Sequence, residues 1–147
     1  MKLLEWLQVK LLGESFGVLT ISKEEADFAG LNMSQAIDAH MAWRIRLADI
    51  LDGKSHEELN VGEVARDDCC SLGKWLFDSA RLKFGSYQEY ETLRKNHSRF
   101  HICAGEILVL HNIGQFAAAK QMLRADLRNL SDLVQLDIVR LYAAVNK

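Results

Sequence analysis

No proline occurs in the 147 residues. Proline removes a backbone N–H and clashes with the preceding turn, so its absence takes away the commonest breaker of long helices. Cysteine is scarce: Cys69, Cys70 and Cys103 are the three. Three thiols are too few for a disulfide scaffold, and in a reducing compartment a metal or redox role is the better reading for any one of them. A basic stripe is also missing. The 18 Lys and Arg and the 20 Asp and Glu are interspersed, and the net charge is −2. Nucleic acid therefore has little electrostatic reason to bind. No apolar run approaches the roughly 18 residues of a membrane span. The opening Met1–Leu12 is interrupted by Glu5, Gln8 and Lys10, which spoils it as the apolar stretch of a secretion signal. The chain reads as cytoplasmic.

Apolar residues make up 49% of the chain, enough to build a core without help from a metal. The length suits one domain. Residues 1–22 read as an N-terminal arm, a docking or dimer contact, with Leu3, Leu4, Leu7 and Leu11 on one helical face and Val18–Ile21 suited to a short strand. Residues 23–147 read as a helical bundle. Ser22–Glu25 has the spacing of a capping box and predicts a helix start at Lys23. The stronger signal runs from Asn32 to Asp52, where Met33, Ile37, His40, Arg44, Leu47 and Leu51 recur at steps of three and four. Gly53 stands where a C-terminal glycine cap belongs. A polar connection, 53–67, with room for a short turn of helix, leads to a short element carrying Cys70 and Trp75, with Asp67 or Asp68 as its cap, fading near Gly85. Ser86–Glu89 is a second capping box. The helix after it aligns Tyr90, Leu93, His97, Phe100, His101, Ala104, Ile107 and Leu108, and ends near Gly114. A final helix, 116–145, carries Phe116, Ala119, Leu123, Leu127, Leu130, Val134, Ile138, Leu141 and Val145 along one seam. The expectation is an all-α antiparallel four-helix bundle with a short additional helix carrying a cysteine.

Imidazole and thiolate are preferred zinc donors, and four of them complete a tetrahedral shell. His97 and His101, four apart on a helix, emerge from one face about a turn apart. His40 lies in the apolar seam of another helix, where an imidazole without a partner is costly to bury. Cys69 and Cys70 are adjacent, so on a helix their side chains diverge by about 100° and one alone can face the same ion. Cys70 is in register with Leu72, Gly73 and Trp75. Cys103 follows His101 by two and faces away. His56 and His111 read as solvated histidines. Trp43, Trp75 and Phe100 flank the ligands as packing. Gly73 implies close approach of another chain segment or a ligand ring to its backbone. Carboxylates that orient the imidazoles are expected, with Asp38, Asp67 and Asp68 near in sequence.

The order His40-x-x-Trp43, Cys70-x-Leu72-Gly73-x-Trp75, His97-x-x-x-His101, with 26 residues between Trp43 and Cys70 and 21 between Trp75 and His97, resembles the bacterial chemoreceptor zinc-binding (CZB) domain family. The resemblance implies that His40, Cys70, His97 and His101 are zinc ligands. It implies regulation of chemotaxis or cyclic-di-GMP signalling in response to zinc or to oxidants such as hypochlorous acid, with Cys70 as the redox-sensing group. Such domains are often joined to a methyl-accepting region or a cyclase. Neither is visible here, so output is expected in trans, through a partner in a chemoreceptor or diguanylate cyclase pathway. The arm and the long final helix leave room for a homodimer. Two other readings stand beside this one. A purely structural zinc in an interaction module would resist chelator and oxidant. A zinc hydrolase would need an open ligand position and a nearby base, yet Cys70 closes the shell and Ser98 stands where His-Glu-x-x-His has its glutamate. The chain is therefore expected not to be an enzyme.

Overall fold

The computed structural model describes residues 27–146. The expected arm at 1–22 and the helix start at Lys23 lie outside them. The first described element is a small antiparallel hairpin, β1 (Asp27–Phe28) and β2 (Leu31–Asn32). Its two turn residues, Ala29 and Gly30, both have positive φ, 49° and 89°, as a tight hairpin turn requires. A helix begun at Lys23 therefore does not run on into the next one.

Helix α1 spans Met33–Leu51, with the Asn32 side chain accepting from the Gln35 N–H at its start. It stops in a Schellman turn. Gly53, at φ 74°, donates to the Ile50 carbonyl, and Lys54 donates to that of Asp49. Three short helices follow: α2 (Val61–Ala65), α3 (Ser71–Phe77) and α4 (Ser79–Phe84). Helix α2 is the short turn of helix expected within the 53–67 connection, whereas the single element expected to carry Cys70 and Trp75 is two, α3 and α4. Helix α5 spans Gln88–Asn112 and ends in a second Schellman turn at Gly114, φ 83°. Tyr87, with no side-chain hydrogen bond, stands at its N-cap, so the box at Ser86–Glu89 does not form. The final helix runs through α6 (Phe116–Met122), a π-helical turn (Leu123–Leu127) and α7 (Arg128–Val145).

The molecule is an all-α bundle of three long helices, with the three short ones filling the remaining corner. The expected seams form the core. Met33, Ile37, His40, Leu47 and Leu51 are buried on α1, and all eight stripe residues are buried on α5. Phe116 is exposed, where the final seam runs off the core. One aromatic cluster holds the hairpin down. The Phe28 ring lies 5.2–5.4 Å from the rings of Trp75, Phe84 and Tyr142, and the Trp75 Nε1–H donates to the Ala29 carbonyl at 3.1 Å.

Candidate metal centre

Three separate stretches of chain deliver four donor atoms to one point. His40 comes from the middle of α1. His97 and His101 come from successive turns of α5. Cys70 stands at the N-cap of α3. The four ligand atoms all lie within 4.8 Å of one another. Cys70 Sγ is 3.8, 3.2 and 3.6 Å from the Nε2 atoms of His40, His97 and His101, and the last two are 3.1 Å apart. A tetrahedral zinc with ordinary Zn–S and Zn–N bonds needs S···N edges of about 3.6 Å and N···N edges of about 3.3 Å. The group fits that ion.

The electrostatics fit a cation as well. His40, His97 and His101 are 2%, 0% and 3% exposed. Burial, and then the neighbouring His101, lowers the His40 pKa to about 3. Burial, followed by His40 and His101, lowers that of His97 to about 2. That of His101 also falls through burial. Imidazoles so placed are neutral and carry a ring lone pair for a metal. The tautomer of His101 is set by its surroundings, because its Nδ1–H donates to the Val64 carbonyl at 2.9 Å and leaves Nε2 bare. Buried Nδ1 atoms of His40 and His97 have no partner among the described residues. Burial raises the Cys70 thiol, opposed by backbone N–H groups led by that of Gly73.

The local fold explains Cys70. Its Sγ accepts from the Gly73 N–H at 3.3 Å, so the thiol itself caps α3 in place of the expected Asp67 or Asp68. A Cβ at Gly73 would sit 2.0 Å from the Asp67 carbonyl oxygen. The close approach expected there is thus made by the preceding loop, folded back over the start of α3.

Other expectations need correction. A backbone carbonyl orients His101 where a carboxylate was expected. Asp38 is exposed, and Asp68 is engaged by Arg66 and by the Cys69 thiol. Of the three flanking aromatics, Phe100 packs on His40, with ring centroids 4.7 Å apart. Trp75 instead holds the hairpin, and Trp43 stacks under Arg46. Cys103 is buried away from the group, and burial pushes its thiol up to about 11. Cys69 and His56 are exposed. His111 is half-buried against Phe116, with its Nδ1 covered, rather than solvated. Nothing in the sequence marks Val64, whose contribution is a carbonyl that any residue owns. Gly105, where α2 packs close against α5, carries a signal that the sequence did offer, a glycine inside a long helix.

Residues 40–108 match the family model of the chemoreceptor zinc-binding domain. This segment is a chemoreceptor zinc-binding domain. The match opens on His40 and takes in Cys70, His97 and His101. The domain's cofactor is zinc, and the four-residue group suits that ion in donor type and spacing. Comparison with curated proteins and with solved structures finds no match. Among the described residues, no helix is long and apolar enough to cross a membrane.

Proposed function

We propose that His40, Cys70, His97 and His101 hold one zinc ion, and that this chain is a sensory domain in which Cys70 is the responsive ligand. The observation that carries the reading is the convergence of three buried neutral imidazoles and one thiol from three stretches of chain. Zinc, when bound, holds the Cys70 sulfur as thiolate near neutral pH. Every further step belongs to the protein. The Val64 carbonyl aims His101. Phe100 and the buried seam keep water away. Of the four ligands, Cys70 is the least covered and the one seated on a short helix.

Oxidant sensing follows from sulfur chemistry. A thiolate attacks the chlorine of hypochlorous acid, releasing hydroxide, and water then displaces chloride from the sulfenyl chloride. The sulfur ends as sulfenic acid, oxidised by two electrons with its oxygen taken from that water, while chlorine is reduced and leaves as chloride. A sulfenic acid is a poor ligand, so the site loses one corner. The proposed output is chemotaxis or cyclic-di-GMP signalling, through a partner protein. Hydrolysis is disfavoured by the donor set, since a fourth protein ligand closes the shell to water.

The test is metal content by mass spectrometry, for the wild type and for Cys70→Ser, before and after a stoichiometric dose of hypochlorous acid. About one zinc per chain, lost on oxidation in the wild type and held more weakly by the variant, is expected. Zinc that survives the oxidant would make the site structural. No metal in either protein would sink the four-ligand assignment.

A further inference from the structure

Between α1 and the π-helical turn lies a surface groove of about 500 Å³. Its floor is apolar, made by Met41, Ile45, Ala48 and Leu123, and Ile45 is 62% exposed. Its rim is basic: Arg44 on α1 faces Arg124 and Arg128 on the opposite wall. The salt bridges among the described residues engage Arg46, Arg66, Arg94, Lys95, Lys120 and Arg140. The three rim arginines take part in none of them. Arg124 and Arg128 are also four apart on one helix, a spacing at which like charges repel. Three cations thus stand together around an exposed apolar strip without a carboxylate within ion-pair distance among the described residues.

We propose that this groove receives an amphipathic helix of a partner protein, with apolar residues on one face and glutamate or aspartate beside them. Charge complementarity selects the acidic partner, because each rim arginine offers a fork for a carboxylate. The concave shape selects a helix, whose apolar face fits between two helices at positions i, i+3, i+4 and i+7. Met41 suits such a floor, since an unbranched thioether adapts to the side chain laid on it. The wall opposite α1 is the π-helical turn, an irregularity that is frequent at functional sites. The proposal does not rest on the zinc reading, as none of the lining residues belongs to the metal group.

The test is fluorescence anisotropy of the full chain with a labelled synthetic helical peptide carrying leucine at those positions and glutamate elsewhere. Controls are the same peptide with lysine for glutamate, and vesicles of phosphatidylcholine with phosphatidylserine. The acidic peptide is expected to bind saturably and more weakly as salt rises. Arg124→Glu with Arg128→Glu should weaken it about tenfold or more. Ile45→Ser, on an exposed position, should weaken it independently. Circular dichroism confirms that each variant is folded. Failure of the acidic peptide to bind, equal binding of the lysine peptide, or indifference to both sets of substitutions overturns the proposal. Vesicle binding through the same arginines without peptide binding would overturn it too, making the face a lipid contact.

Discussion

Gly73 is the residue at which one methyl group has the largest consequence. An added Cβ meets backbone, the Asp67 carbonyl, rather than a side chain that can swing aside. Gly73→Ala is therefore expected to displace the loop before Cys70. Stability should fall by about 1–3 kcal/mol and zinc affinity should fall with it, read by denaturant titration and by competition with a chromophoric chelator. Gly62→Ala, whose nearest neighbour is the Asn60 side chain, should change both far less. Asp137 makes a different prediction. It is 1% exposed, accepts from Asn96 Nδ2 at 2.7 Å, and burial raises its pKa above the usual carboxylate value. A raised acid binds its proton more readily folded than unfolded, so its ionisation costs stability as pH rises. Asp137→Asn should be more stable than wild type near neutral pH, with the difference shrinking as pH falls through the raised pKa. Urea unfolding at several pH values checks the sign. At this scale the sequence was most legible where chemistry lives in the side chain. Histidine and cysteine at fixed spacing announce a metal. The Val64 carbonyl announces nothing, because its role depends on where α2 comes to rest.

Helix α2 comes to rest on α5 because Gly105 leaves room for it. A Cβ at Gly105 would stand 3.0 Å from the Ala65 Cβ. The same five-residue helix carries the Val64 carbonyl that orients His101. Gly105→Ala is expected to lift α2 and weaken zinc binding, by about tenfold in keeping with the loss of a ligand-orienting bond, while far-UV circular dichroism stays nearly unchanged. Ala65→Gly added to it should restore affinity. No restoration would mean that α2 does not position the imidazole. The long helices and their glycine stops were legible, since apolar residues at three- and four-residue steps and glycines at positive φ are local signals. The box at Ser86–Glu89 was misleading: the local pattern was right, but the Ser86 side chain does not cap the helix, which starts at Gln88. The hairpin and the split of the cysteine element were not legible at all. Phe28, Trp75, Phe84 and Tyr142 meet only in three dimensions, and that cluster joins the hairpin to both halves of the split element.

For the molecule as a whole, the buried core extends well beyond the metal group. Leu93 and Ile107 on α5, Leu127 in the π-helical turn, and Ile138 and Leu141 on α7 are fully buried. Chelation should lower the melting temperature without unfolding the chain at 25 °C. Free zinc at a hundred times its Kd adds about 2.7 kcal/mol by mass action, or roughly 5–11 °C for a domain of this size. Calorimetry with and without chelator measures this, and complete loss of helix on chelation would show that the metal carries the fold. The bundle class was legible in a proline-free chain with three apolar seams. The position of the short helices was not, because their placement follows from long-range packing.

The short helix α3 has one further property. Its N-cap is Cys70 and it carries Trp75 a turn and a half later, so one rigid piece spans the roughly 7.5 Å from the thiol's residue to the indole's. The indole is bolted to the Ala29 carbonyl and wedged against Phe28. If chemistry at the sulfur tilts the rod, the far end must drag the hairpin with it. The β-turn at Ala29 and Gly30 then serves as the pointer of a gauge whose pivot is the Gly73 backbone, where the Asp67 carbonyl packs closest.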